Sequence, residues 1–188
     1  MTSNQENNAR LAQVVVKVFQ NKVEHSFEWA FTQDPEVFEK DIIEYNGRMR
    51  ASGLEKFNGP SYAFVVTLYY SQYEYENKNA CGALILYISE DIIERILKKM
   101  GHRDFDEDDQ EFVVKECVEF CESIIGEVKK AMQPMGYREI VSSKPLGYKN
   151  EVLEGVLYPH DQNKFQEISF YLWNKKALVV DLVVAPAV

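Results

Sequence analysis

The sequence has no long hydrophobic run, and it lacks the basic start and apolar stretch that mark a secretory signal. It also has only three cysteines, an odd and small number that does not suit a disulfide framework. Reduced thiols are typical of proteins in a reducing compartment. We therefore expect a cytoplasmic protein that is not bound to a membrane.

Positive charge is also scarce, because 21 lysines and arginines stand against 30 aspartates and glutamates. The formal net charge is −9. Nucleic acids and anionic membranes bind basic surfaces, and the chain has no basic stripe to offer them. The expected partner is therefore another protein.

Several common kinds of chemistry find no support in the residue pattern. The three histidines are scattered and form no metal-ligand spacing, and no glycine-rich phosphate loop is present. The acidic run at 104–109 does not match a calcium loop, since Asp109 and Lys115 occupy the positions that need glycine and glutamate. We expect no metal and no cofactor in this chain.

Length and periodicity indicate a single domain spanning 1–188, with 46% hydrophobic residues to build a core. Alternating or continuous apolar runs predict strands at 43–52, 62–70, 81–88, 154–158, 165–173 and 178–184. Helical spacing predicts three helices, at 8–24, 90–100 and 108–132. The predicted fold is α+β, an antiparallel sheet covered mainly on one face by three helices.

The long helix at 108–132 carries the most informative pattern. Its predicted core side consists of Val113, Cys117, Phe120, Cys121, Ile124, Val128 and Ala131. Glu119, Glu122 and Gly126 fall on the opposite, outward side. Two acids at i, i+3 repel by about 0.2–0.5 kcal/mol, and an exposed mid-helix glycine costs about 1 kcal/mol relative to alanine. Such departures from local preference are typical of functional surfaces.

Simpler explanations of this face stay open. Acids in the first half and lysines near the end suit the helix dipole, and Asp108 with Glu111 has the spacing of a capping box. Gly126 would also let another backbone pack closely. The helix would then form a subunit contact and nothing more. We interpret Cys117 and Cys121, on the predicted core side of this helix, and Cys81 as packing residues.

Three segments together resemble a known family. They are Gly82 to Ser89, the short helix ending Lys98-Lys99-Met100-Gly101, and Glu119-x-x-Glu122-x-x-x-Gly126 before Lys129. They are similar to the CheC/CheX/FliY family of chemotaxis phosphatases, and the CheX branch is closest. The likeness covers residues 80–135 by motif, with a compatible order of elements on either side.

The resemblance implies a phosphatase for phospho-aspartyl response regulators of the CheY type, in chemotaxis or two-component signalling. Family members act through a helix bearing Glu-x-x-Asn, and the regulator supplies Mg²⁺. By that likeness Glu119 docks the regulator and Glu122 takes the water-orienting position. Lys115, Ser123 and Gly126 are assigned to contact with the docked partner. The resemblance also implies a CheX-like fold and a homodimer.

One position departs from the family, because Glu122 stands where the family has asparagine. An amide both donates and accepts hydrogen bonds, whereas a carboxylate only accepts them and adds negative charge beside a phosphoryl group. The alternative is therefore a catalytically weak or inactive CheX-like module that binds proteins in signalling. The sequence leaves the two functions open.

Overall fold

The computed structural model describes residues 4–188, which form four α-helices and ten strands. A six-residue π-helix, Asn21–Ser26, extends the first helix, and single 3₁₀ turns occupy Gly53–Glu55 and Gln133–Met135. The first helix starts four residues earlier than predicted. The α-helices are α1 (Asn4–Gln20), α2 (Gln72–Glu76), α3 (Glu90–Lys99) and α4 (Gln110–Met132).

The strands form two antiparallel sheets. Seven of them make a large sheet in the order β1-β9-β10-β5-β4-β6, with β7 also paired to β4. The other three make a small sheet in the order β2-β3-β8. Their bounds are β1 Glu36–Asp41, β2 Ile43–Tyr45, β3 Arg48–Ser52, β4 Ser61–Tyr69, β5 Gly82–Ser89, β6 Val141–Ser142, β7 Leu146–Lys149, β8 Val152–Val156, β9 Lys164–Leu172 and β10 Lys175–Val184.

Both faces of the large sheet are buried, which explains why its central strands are apolar throughout. Successive side chains of a strand point to opposite faces. In β5, Leu86 packs in the core beneath the helices, whereas Ile85 and Tyr87 pack in a second core against the small sheet. The α+β class with helices on one face is confirmed, and the small sheet covers the other face.

Two short elements correct the predicted single strand at 43–52. The structure has a hairpin there, with β2 and β3 joined by Asn46 and Gly47 at φ values of 50° and 73°. Asn-Gly is the residue pair that such a turn favours, because both positions need positive φ. The two residues also fit the alternating pattern of a strand, which is why the sequence alone predicts one strand here.

The sequence pattern also does not predict β1, β6, β7 or the short helix α2. The remaining strands are confirmed within a few residues of their predicted bounds. The chain reverses between β9 and β10 at Trp173 and Asn174, both at positive φ. Lys175 and Lys176, which lie between the two predicted strands, are the first residues of β10.

The long helix α4 is confirmed, with a small correction at its start. Its N-cap is Asp109 and not Asp108, and the Asp109 side chain accepts a hydrogen bond from the Phe112 backbone N–H at 3.2 Å. Six of the seven residues of the predicted core side are buried, and Ala131 is half-buried. The helix ends at Met132, and the 3₁₀ turn that follows it is capped by Gly136 at a φ of 104°.

A glycine in β7 fixes how closely α4 lies against the sheet. A Cβ atom at Gly147 would come within 2.6 Å of Val114 Cγ1 and 2.8 Å of the Phe64 ring. Such distances leave no room for a side chain, so the β7 backbone is in direct contact with the helix. One side of α4 is thereby held on the sheet, and the opposite side faces outward.

A cluster of charged side chains is buried on the face that carries the small sheet. Lys56 Nζ lies 2.5 Å from Glu167 Oε2 and 2.9 Å from Asp181 Oδ1. Tyr87 donates a hydrogen bond to Asp181 at 3.0 Å, and Lys40 pairs with Glu167 at 2.9 Å. Because Lys56 follows β3 and the acids belong to β9 and β10, the cluster ties the chain after the hairpin to the large sheet.

Candidate functional site

The two acids singled out by the sequence stand exposed on the outward side of α4. Glu119 and Glu122 are both solvent-exposed. Among residues 4–188, no hydrogen bond or ion pair joins either carboxylate to another side chain. Both groups are therefore available to something outside the chain.

A third glutamate of the same helix behaves differently. Glu116 is only 7% exposed, and its Oε2 lies 2.8 Å from His102 Nε2. The His102 ring in turn makes an edge contact with Phe112. This pair fastens the segment before α4 to the helix, so Glu116 has a structural role that the two exposed acids lack.

Gly126 is not explained by packing within the chain. A Cβ atom at this position would meet nothing within 4 Å, and the residue has no positive φ. An alanine here would therefore fit and would improve the helix. In the part of the chain that the structure describes, no neighbouring backbone uses the space that the glycine leaves open.

The other two predicted contact residues lie on the same outward side. Lys115 and Ser123 are both exposed. The Ser123 hydroxyl donates to the Phe120 carbonyl at 2.7 Å, which leaves its oxygen lone pairs available to a partner. The structure therefore brings all five predicted site residues to one helix face. Their roles stay predictions.

A groove that the sequence did not reveal runs beside Gly126. It has a volume of about 250 Å³ and lies between the second half of α4 and the segment at 142–145. Ser143 accepts a hydrogen bond from the Thr67 backbone N–H at 2.9 Å, which holds this segment to β4. The lining residues are Glu122, Ile125, Gly126, Lys129, Ser142, Ser143, Lys144 and Pro145.

The three thiols are buried and unpaired, as the sequence predicted. Burial raises the pKa of Cys81 and of Cys117 to about 12, and it raises the pKa of Cys121 further. A thiol with such a pKa carries almost no thiolate near neutral pH, so none of the three is an activated nucleophile. They pack in the core.

Within residues 4–188, no three histidine, cysteine or acidic side chains converge in a way that would hold a metal ion. Over the same residues, every helix is too short or too polar to pass through a bilayer.

Comparison with known proteins places this geometry in a known fold. No family model and no curated protein sequence matches the chain. Among solved structures, the chemotaxis protein CheX from Desulfovibrio desulfuricans superimposes with a TM-score of 0.61 at 14% identity, over 93% of this chain and 99% of that one. The chain has the CheX fold.

Two other solved structures support the same assignment over nearly the whole length. FliY from Thermotoga maritima gives a TM-score of 0.57 at 12% identity, covering 98% of this chain and 91% of that one. CheX from Borrelia burgdorferi, solved as a CheX–CheY–BeF3–Mg²⁺ complex, gives 0.55 at 13%, covering 95% and 97%. The resemblance stated from the sequence is confirmed at the level of the fold.

Proposed function

We propose that this CheX-fold protein is a phosphatase of phospho-aspartyl response regulators, and that it acts through the outward face of α4. The observation that carries the proposal is an exposed, unpaired pair of acids, Glu119 and Glu122, beside a glycine that the chain's own packing does not need. One CheX protein of the same fold has been solved with CheY. A CheY-like receiver domain is therefore the proposed partner.

Docking requires charge and space on the helix. Glu119 offers a carboxylate to a lysine of the receiver, and Gly126 offers a place where the receiver's backbone approaches the helix closely. Lys115 and Ser123, on the same side, complete the contact surface. The backbone of α4 is already folded and held on the sheet, so docking does not have to order this segment.

Glu122 supplies the chemistry in this proposal. Its carboxylate accepts a hydrogen bond from a water molecule and directs the water oxygen at the phosphorus. The new bond joins that oxygen to phosphorus, and the bond from phosphorus to the aspartyl oxygen breaks. The electron pair remains on the receiver's aspartate, and the water proton passes by way of the carboxylate to solvent. Mg²⁺ is expected on the receiver, where it would neutralise phosphoryl charge.

The phosphate lifetime of a receiver tests this proposal. Adding the protein to phosphorylated receivers of the same cell is expected to shorten the lifetime. Glu122→Ala is expected to slow that hydrolysis by about 10²-fold or more, because it removes the group that orients water. The matched control is Glu127→Ala, an exposed acid of the same helix that pairs with Lys130. Unchanged lifetimes with every receiver would remove the phosphatase function.

A second function is favoured by the chemistry of Glu122. Its ionised carboxylate cannot donate a hydrogen bond and repels a phosphoryl group, so the same face would bind a receiver without hydrolysing its phosphate. In that case Glu122→Asn is expected to create phosphatase activity where the wild type has none, since only one side chain differs from the family motif. A pull-down of the receiver by the wild type would confirm binding.

We also propose a homodimer, on the strength of the likeness to CheX. Ile43 and Tyr45 lie on the edge strand β2 with 54% and 56% of their surface exposed. Apolar side chains on a sheet edge are typical of association surfaces. The small sheet lies on the face opposite the helices, so association there leaves α4 free. The cytoplasmic location expected from the sequence stays a prediction.

A further inference from the structure

Two lysines in the groove beside Gly126 have no acidic partner. Lys129 and Lys144 both line this groove, and among residues 4–188 neither forms an ion pair. The next residue along the helix, Lys130, is paired with Glu127 at 3.3 Å. Unpaired positive charge on both walls of one groove is notable in a chain with a formal net charge of −9.

The geometry places these lysines around the approach to Glu122. Lys129 follows Glu122 by seven residues, which is two helical turns or about 10 Å along the axis. Lys144 belongs to the facing wall, the segment held to β4 by the hydrogen bond between Ser143 and the Thr67 backbone. Glu122 and Lys129 therefore line one wall of the groove, and Lys144 lines the other.

Electrostatic repulsion opposes the docking of an anionic partner at this face, and the two lysines reduce it. A phospho-aspartyl site presents phosphoryl oxygens and carboxylates. The net negative charge of this protein, and the Glu122 carboxylate in particular, repels such a surface. Opposite charges within a few ångströms attract strongly when water is partly excluded, and exposed charges accelerate encounter. Lys129 and Lys144 line the same groove as Glu122 and supply that attraction near the place where the partner docks.

We propose that Lys129 and Lys144 select for the phosphorylated form of the partner by binding its anionic rim around the phosphoryl group. They are specificity residues and not catalytic ones, since they act on approach and affinity. This inference rests on the proposed function, because the anionic rim is that of a phosphorylated receiver. It explains how a glutamate is tolerated next to a phosphoryl group.

The test replaces the two lysines by glutamine, singly and together, and measures KM and kcat for a phosphorylated receiver at low salt. For a binding module, the affinities for the receiver with and without beryllium trifluoride are measured instead, and the loss of affinity is expected for the receiver that carries it. Lys129→Gln with Lys144→Gln is expected to raise KM or Kd about 10- to 100-fold and to leave kcat within about twofold. Raising the salt to 0.5 M is expected to weaken the wild type strongly and the double variant little.

The control is Lys130→Gln, which removes the same charge from the same helix but outside the groove. Lys130→Gln is expected to change KM by less than about twofold. Lys129→Arg keeps the positive charge in the groove and is expected to retain most of the wild-type affinity. If the wild type works on receivers but the double variant matches Lys130→Gln, this inference is wrong and the proposed function stands. If the wild type neither binds nor dephosphorylates any receiver, both fail together.

Discussion

Replacing Gly126 with leucine is expected to abolish receiver docking and to make the protein more stable. A Cβ atom here meets nothing within 4 Å and Gly126 borders an open groove, so leucine has room and removes the cost of a mid-helix glycine. That gain is about 1 kcal/mol in the free energy of unfolding, or about 2–4 °C in Tm. The same side chain occupies the space into which the receiver's backbone must move, so receiver affinity should fall at least about 100-fold.

Gly155 provides a matched control for this experiment. It lies in β8, and a Cβ atom there also meets nothing within 4 Å. Gly155→Leu is expected to leave receiver affinity unchanged, because β8 belongs to the small sheet on the other side of the molecule. A Gly126→Leu variant that still binds the receiver would contradict the docking face.

Sizing chromatography separates docking from the simpler explanation of α4 as a subunit contact. If the helix face holds two copies together, Gly126→Leu should change the oligomeric state. If the face binds a receiver, the oligomer should be unchanged while receiver binding is lost. The oligomeric state of the variant therefore distinguishes the two explanations.

The outward face of α4 could be predicted because a helix displays its surface directly in its sequence. Residues 3.6 apart share a side, so the buried positions of Cys117 and Ile124 determine where Glu119 and Glu122 must point. Nothing beyond the periodicity was needed. Only the structure shows that the space beside Gly126 is open, since the sequence pattern is equally compatible with a close internal contact.

The groove could not be predicted, because its second wall comes from a segment with no pattern of its own. Lys144 lies between the two-residue strand β6 and the short strand β7, neither of which was recognised. Only the pairing of these strands with β4 brings that lysine beside Lys129. Proximity of this kind depends on tertiary structure and leaves no periodic trace.

The small sheet was missed for a different reason. A hairpin with a two-residue turn keeps the alternation of side chains almost intact, so β2 and β3 together imitate one long strand. The buried charge cluster could not be predicted for the same reason. Lys56 reaches Glu167 and Asp181 because the chain turns back at Asn46 and Gly47 and returns as β3 of the small sheet, which packs on the large sheet.

Replacing Lys56 with methionine is expected to cost about 3–5 kcal/mol in the free energy of unfolding near pH 8. The lysine side chain is 8% exposed, and its ammonium group is shared by Glu167 and Asp181. Removing it leaves two buried carboxylates with only Lys40 and the Tyr87 hydroxyl to stabilise them. Denaturant unfolding measures the loss. Lys164→Met, which breaks a surface pair with Asp41, is the control and should leave the midpoint nearly unchanged.

The pH dependence of this variant identifies the cause of the loss. In the wild type, burial raises the pKa of Asp181 to about 6, and the Lys56 ammonium keeps it from rising further. Without Lys56 the carboxyl pKa values of Asp181 and Glu167 should both increase. A folded state with raised carboxyl pKa values binds more protons than the unfolded state, so its stability grows as the pH falls.

The deficit of Lys56→Met relative to the wild type is therefore expected to shrink between pH 8 and pH 5. Adding Asp181→Asn and Glu167→Gln to Lys56→Met should recover part of the lost stability at pH 8, because neutral amides tolerate burial better than unpaired carboxylates. A deficit that grew on acidification would contradict the argument. Since the cluster lies on the face opposite α4, the folded fraction of each variant should bind the receiver as the wild type does.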